Sequence, residues 1–325
     1  MDEIINIAFV FDDRFSDLFR VAIYSIAKNT KSNLALHIVD CGISEENKDL
    51  IGKFISEFKN ISSMEFRVPE RLEVFENLSI EPPYNSTVFY RLEIPRIFPA
   101  LERVIYLDCD IIAIGDIAEL WNEDLKGRPF GAIEEVGNFI DSDTVWRKRM
   151  TLGLPLGKRY YNTGVLFFDC GQYQKSKIFE RVVEFVKSTR ISLPCPEQDA
   201  MNICLRNDEH LPLHPKYNFM PFYALSKRCL RVIKNPVVIH YAAVKVWQLN
   251  LNKILIKILY LFGLCRYSLG MILCFWRYSD RVDGEKFSSR SVIPTIKFLY
   301  ILFLTEFYPE KLQRKMIRNT TVSHG

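Results

Sequence analysis

Residues 104–110 read Val-Ile-Tyr-Leu-Asp-Cys-Asp, an apolar run that ends directly in two carboxylates one residue apart. Such a run predicts a buried strand. Asp108 and Asp110 at its mouth can both reach one hard divalent cation, or one can hold metal while the other holds a ribose hydroxyl. The same letters recur at Asp141-Ser142-Asp143, in a charged segment with no apolar run before it, so placement after a strand is what makes the first pair informative. Residues 237–241 (Val-Val-Ile-His-Tyr) repeat the arrangement, with His240 at the strand end and Lys245 five residues on. Imidazole can complete the coordination of a carboxylate-bound metal, and an ammonium can neutralise a diphosphate. Alone, His240 reads as a core histidine; beside an Asp-x-Asp pair it reads as a third ligand.

Two further clusters suit hydroxyl-rich ligands. Tyr161-Asn162-Thr163-Gly164 and Pro196-Glu197-Gln198-Asp199 offer amides, which both donate and accept, next to carboxylates. Glu197 and Asp199 also stand where a helix would start and would complement its dipole, a purely structural use of the same residues. Other chemistries leave no signature: the chain has no GxGxxG, GxSxG or HExxH. Its Gly153-Leu-Pro-Leu-Gly157-Lys158 stretch is one residue short of a phosphate loop, with Arg159 where Ser or Thr would hold magnesium.

These residues need elements to position them. Ile4 to Phe11 is a continuous apolar run ending in Asp12-Asp13, followed by helical spacing over Ser16 to Asn29, a second strand from Leu34 to Val39, and a helix opening at Ser44. Strand, helix, strand, helix predicts a largely parallel sheet covered on both faces. Later strands are expected at Val104–Leu107, Phe130–Ile133, Gly164–Phe168 and Val237–Tyr241, and Arg71–Tyr84 reads as a loop. In open α/β sheets ligands sit at the carboxyl ends of strands, so Asp12, Asp108, Glu134 or Glu135, and His240 are expected to converge on one cleft.

The chain has 325 residues, 48% of them hydrophobic, and a net charge of +4 that is unevenly spread. Residues 251–325 carry 12 Lys/Arg against 5 Asp/Glu, leaving 31 against 34 for residues 1–250. A near-neutral body of residues 1–250 followed by a basic, aromatic-rich helical region over 251–325 predicts a catalytic or binding domain with an appendage that meets an anionic surface. Its basic residues are interleaved with aliphatic and aromatic runs, which favours lipid over nucleic acid. Residues 258–276 are nearly long enough to span a bilayer but carry Arg266 near their centre, so lying in the interface is expected rather than crossing. The run Phe298–Leu304 with Lys311, Arg314, Lys315 and Arg318 repeats the pairing. The plainer alternative is that these helices pack on the body with their charges solvated. Eight cysteines without a CxxC pair, and an N-terminus with no basic region or cleavage site, point to reduced thiols in a cytoplasmic protein.

The ordered motifs from Ile7-Ala-Phe-Val-Phe-Asp12-Asp13 through Val39-Asp-Cys-Gly42, Tyr90-Arg91-Leu92, Tyr106-Leu-Asp108-Cys109-Asp110, Tyr161-Asn162-Thr-Gly164 and Glu197-Gln198-Asp199 to His240…Lys245…Trp247 resemble glycosyltransferase family 8. These are retaining nucleotide-sugar transferases that include bacterial lipopolysaccharide α-galactosyl- and α-glucosyltransferases. The resemblance implies a GT-A (Rossmann-like) α/β fold with a mixed, mostly parallel sheet. It also implies a UDP-hexose donor and a Mn²⁺ or Mg²⁺ ion held by Asp108, Asp110 and His240. Val10, Asp12 and Cys109 would meet the nucleotide, and Lys245 the diphosphate. Arg91, Asn162, Glu197 and Gln198 would surround the sugar. The family usually has Pro where this chain has Val246, Asp where it has Glu197, and a small-Gly pair where it has Ala242-Ala243.

Cleaving a sugar–phosphate bond puts negative charge on the departing UDP, which a cation and Lys245 would stabilise, and positive character on the sugar, which carboxylate and amide oxygens would favour. Retention leaves two routes, a covalent intermediate or front-face attack; the low basicity of the Gln198 amide favours the second. The implied acceptor is a lipid-linked or lipopolysaccharide glycan, met by an enzyme peripheral on the inner face of the cytoplasmic membrane. The alternatives are a protein-glycosylating or self-glucosylating transferase like glycogenin, and a non-catalytic sugar-nucleotide-binding membrane module.

Overall fold

The computed structural model describes residues 3–70, 75, 80, 85–135, 150–155, 158–206, 209–220, 233–242, 274–275, 277–279 and 281–282. Asp141-Ser142-Asp143, Lys245, most of the Arg71–Tyr84 stretch and nearly all of residues 251–325 lie outside them.

Seven strands form the main sheet: β1 (Ile5–Phe11), β2 (Leu34–Asp40), β3 (Ile61–Arg67), β4 (Arg103–Leu107), β6 (Phe130–Glu134), β7 (Tyr161–Asp169) and β8 (His210–Leu213). Their order is β3-β2-β1-β4-β7-β6-β8. β7 runs antiparallel to both neighbours, and the other pairings are parallel. The expected mixed, mostly parallel sheet is therefore present. Alternation along β1 explains why it is covered on both sides: Ile5, Ile7, Phe9 and Phe11 face one apolar cluster, and Ala8 faces the other. The first cluster takes in helices α1 (Ser16–Asn29) and α2 (Glu45–Ile55). Ser44 caps α2 by accepting from the Asn47 N–H at 3.3 Å. The second cluster packs under α5 (Cys170–Ser176), α6 (Ile178–Ser188) and α7 (Pro196–Cys204). Two single-turn helices, α3 (Ile94–Ile97) and α4 (Ala118–Trp121), lie between α2 and α5 along the chain.

Several elements differ from those expected, including the edge strand β8 (His210–Leu213), which has no counterpart among the strands expected from the sequence. β3, with Ser62, Ser63 and Glu65 exposed or half-buried at the sheet's edge, lacks the apolar run that betrays a central strand. β7 begins at Tyr161 rather than Gly164, so Asn162 and Thr163 are strand residues. The His240 strand does not join the main sheet. It is β9 (Val238–His240), paired antiparallel with a three-residue strand β5 (Ile111–Ala113) in a separate ribbon.

The described residues between 274 and 282 pack against the body. Phe275 is buried beside Tyr241, with ring centroids 5.4 Å apart, and the Tyr278 hydroxyl lies 2.8 Å from Asn29 Nδ2. Among the described residues no helix is long and apolar enough to cross a membrane.

Candidate active site

The sheet order reverses between β1 and β4, since β1 leads to β2 on one side and meets β4 on the other, and such a switch point opens a crevice at the carboxyl ends of both strands. Asp12 follows β1, and Asp108 follows β4. The β5–β9 ribbon supplies the rest: its register sets Ile111 opposite His240, and the Tyr241 N–H donates to the Asp110 carbonyl at 2.9 Å. His240 Nε2 consequently lies 3.1 Å from Asp110 Oδ1 and 3.5 Å from Asp108 Oδ2.

These three side chains fit a divalent cation. One ligand atom from each lies within 4.8 Å of the other two, in a mixed oxygen and imidazole set that can hold a divalent cation. The Asn218 Oδ1 atom, 2.8 Å from His240 Nδ1, fixes the ring so that Nε2 turns to the carboxylates. Gly164 forms the floor, because a Cβ there would lie 2.2 Å from His240 Cε1 and 2.8 Å from Asp108 Oδ2. Burial pushes the Asp110 carboxyl upward, but the charge and hydrogen bond of His240 outweigh it and hold it below the usual range. Burial likewise pulls His240 down, and Asp110 followed by Asp108 overcome that and raise it.

Beside this corner lies a second one built of amides. Gln198 Oε1 accepts from Asn162 Nδ2 at 3.0 Å and from the Thr163 N–H at 3.1 Å. Its Nε2 lies 3.0 Å from the Tyr160 hydroxyl and 3.4 Å from Glu135 Oε2. Glu134 instead faces Arg159 at 3.9 Å, so Glu135 is the acidic residue that joins the site after β6. Asn162 Oδ1 accepts from the Gly164 N–H and from Asn218 Nδ2, both at 2.8 Å. An unbroken series of hydrogen bonds thus runs from His240 through Asn218 and Asn162 to Gln198.

Glu197 and Asp199, alike in sequence, have different uses. Asp199 is structural: it accepts the Tyr160 hydroxyl and, at 2.7 Å, the Cys195 N–H at the head of α7. Glu197 belongs to the site. Its Oε1 accepts from Thr163 Oγ1 at 3.0 Å and lies 3.2 Å from Arg91, whereas its buried Oε2 has no hydrogen-bond partner among the described residues and is suited to a ligand hydroxyl. Burial raises the Glu197 carboxyl against the pull of Arg91. Arg91 joins the two corners, since the same Nη1 lies 3.1 Å from Asp108 Oδ1.

The residues expected to meet the nucleotide are less uniform. Val10 is half-buried near the end of β1, and Asp12 pairs with Arg14 at 2.7 Å. The Cys109 side chain is buried in the core, so the expected nucleotide contact would have to come from its backbone. Burial, then the charges of Asp108 and Asp110, push its thiol well up. Lys245 falls outside the described residues. Asn218 and Tyr160 have no counterpart among the residues expected from the sequence; the spacing of Asn218, 22 residues before His240 on a different segment, gives no local signal.

The sequence model described as Glycosyl transferase family 8 matches residues 6–250, most of the chain. The chain belongs to glycosyl transferase family 8. Family 8 relatives are distant but extensive. General stress protein A of Bacillus subtilis is 26% identical over 271 residues, covering 77% of this chain and 89% of that protein. A lipopolysaccharide 1,2-glucosyltransferase of Escherichia coli is 25% identical over 223 residues, covering 66% of this chain and 62% of its own length. The solved structure of galactosyltransferase LgtC in complex with donor and acceptor sugar analogs aligns with a TM-score of 0.67 at 21% identity, covering 86% of this chain and 96% of that one. That likeness establishes the GT-A fold, and family membership makes the protein a glycosyltransferase.

Proposed function

We propose that the protein is a metal-dependent, retaining hexosyltransferase that moves galactose or glucose from a UDP-sugar to a glycan acceptor of bacterial lipopolysaccharide or a related surface glycan. The observation that carries this reading is the junction at Arg91, which binds a cation-competent carboxylate on one side and a buried Glu197 with an open acceptor oxygen on the other. A divalent ion on Asp108, Asp110 and His240 would supply neutralisation of the diphosphate charge.

The protein's own groups orient the sugar. Glu197 Oε2 would accept a sugar hydroxyl, and the Arg91 guanidinium keeps that carboxylate turned inward. Gln198 is a poor nucleophile twice over: a neutral amide has little basicity, and its oxygen already accepts two hydrogen bonds. This supports front-face transfer. The acceptor oxygen bonds to the anomeric carbon as the carbon–oxygen bond to the phosphate breaks, and the acceptor's proton passes to the departing phosphate oxygen. Tyr160, Asn162 and Glu135 hold Gln198 beside the carbon that becomes cationic.

The deciding experiment offers the purified protein each UDP-sugar with Mn²⁺ and measures UDP release with and without a lipopolysaccharide core acceptor. Release with one UDP-hexose, stimulated by acceptor and lost in chelator, is the expected result; no release from any donor overturns the reading. A mass increase of the protein itself would point to self-glucosylation. The division at residue 250, the inner-membrane location and the lipid-linked acceptor rest on the +7 charge of residues 251–325. Salt-sensitive sedimentation with anionic vesicles, weakened on truncation at residue 282 and lost on truncation at residue 250, tests them; the first limit retains the segment around Phe275 that packs on the body.

A further inference from the structure

Away from the reaction site, a cleft of about 620 Å³ lies along the β8 edge of the sheet. Five cations line it: Lys126 and Arg128 from the turn before β6, Lys158 and Arg159 from the segment before β7, and Arg206 from just beyond α7. None of its described lining residues is acidic. The surrounding body does not share this bias, because residues 1–250 hold 31 Lys/Arg against 34 Asp/Glu. Cations from three separate segments are therefore concentrated where the chain as a whole would not put them.

Two carboxylates stand near the cleft, Glu134 at Arg159 and Glu209 beside Lys158 and Arg206, and the five cations outnumber them. Lys158 Nζ donates to the carbonyls of Ile203 (3.3 Å) and Leu205 (2.8 Å), fastening the start of β7 to the end of α7, and both partners are neutral. Arg159 has the Glu134 carboxylate only at 3.9 Å. Lys126, Arg159 and Arg206 are exposed. Three guanidinium forks with two ammonium groups suit the tetrahedral oxygens of phosphate, which accept bidentate donation.

The cleft also shares its supports with the reaction site. Gln198 opens α7 and Arg206 follows its end, a separation of about 12 Å along a helix, and Arg159 precedes Asn162 on the chain by three positions. A group held here would lie within reach of a glycan of a few sugars seated at Glu197 and Gln198.

We propose that this cleft is a second anion site, distinct from the nucleotide crevice, that binds phosphate esters. This inference does not rest on the transferase reading, because it is tested by binding without turnover. Calorimetry of the full chain with inorganic tripolyphosphate, in the absence of divalent metal, should give saturable binding that weakens with salt. Asp110→Ala, which disables the cation corner, should leave it unchanged. The double variant Lys126→Asn with Arg206→Gln should bind about tenfold more weakly or worse. Asn tolerates the left-handed backbone at Lys126 (φ 52°), and an unchanged melting temperature certifies the fold. Competition by glucose 1,6-bisphosphate would assign the site to a phosphorylated saccharide, and competition by phosphatidylglycerol vesicles to a lipid headgroup. Absence of saturable binding, equal affinity in the double variant, or competition by neither ester would overturn the proposal.

Discussion

The cation corner and the amide corner touch through Arg91 yet are built on opposite principles. Asp108, Asp110 and His240 are ionisable, and the two aspartates remain partly open to solvent. They hold each other by charge, and the proposed cation would complete their arrangement. Asn162, Gln198, Thr163 and Asn218 are neutral and buried, and each is fixed by hydrogen bonds to the next. The first corner is poised to gain a ligand, and the second is already rigid before one arrives. Polar groups satisfied in advance need no reorganisation when the sugar is seated.

The contrast is broken most severely at its charged end. Asp110→Ala should lower transfer by about 10³-fold or more with the circular dichroism spectrum unchanged, because a strand-end carboxylate contributes charge rather than packing. Near-normal rates in excess chelator would remove the cation corner from the reaction. At the amide end, Gln198→Ala should reduce kcat by about 10²-fold while UDP affinity stays within a few-fold. A collapse of UDP binding would mean that Gln198 serves the nucleotide.

A subtler test separates the corners at their shared link. Asn218→Ala removes the partner of His240 Nδ1 and should weaken Mn²⁺ binding about tenfold, read by paramagnetic resonance titration rather than by turnover. Unaltered Mn²⁺ affinity in a folded variant would show that the ribbon alone orients the imidazole.

The smallest effect concerns the turn that carries Arg91. Glu93 is buried there with Arg96 at 3.5 Å, and burial pushes its carboxyl up to about 7, against that pairing. A carboxyl raised in the folded state favours folding fully below its unfolded value, near 4.5, and loses that contribution as pH rises through about 7. Glu93→Gln should therefore melt higher than the parent at pH 8, by roughly 2 kcal/mol of stability, and match it near pH 5. A gain of equal size at both values would trace it to packing.

The two corners also differed in how far the sequence disclosed them. Asp108 and Asp110 follow an apolar run, and a carboxylate after such a run marks a strand mouth without any knowledge of neighbours. His240 was recognisable for the same reason, although its strand belongs to a ribbon whose other half, Ile111–Ala113, is too short to show periodicity. The alternation and the breaks at Asp12 and Asp40 exposed the parallel half of the sheet, while the edge strand Ile61–Arg67 has no apolar face to betray it. The amide network was hidden because hydrogen-bond partners such as Asn218 and Asn162 are brought together only by the tertiary fold. The same holds for the choice between Glu134 and Glu135, and for the separate roles of Glu197 and Asp199. Adjacent acidic letters do not say which side chain turns inward.

The β5–β9 ribbon has a consequence for how the molecule is made. Asp108 and Asp110 are synthesised long before His240, and the third ligand reaches them only when Val238–His240 zips against Ile111–Ala113. Before residue 240 is made, this corner offers a cation two carboxylates at most, and the proposed site would gain its full affinity only when the ribbon closes. Under the proposed metal dependence, tight retention of the ion would mark a chain that has closed this ribbon, and one stalled or cleaved between the two strands would lose its ion to those that have.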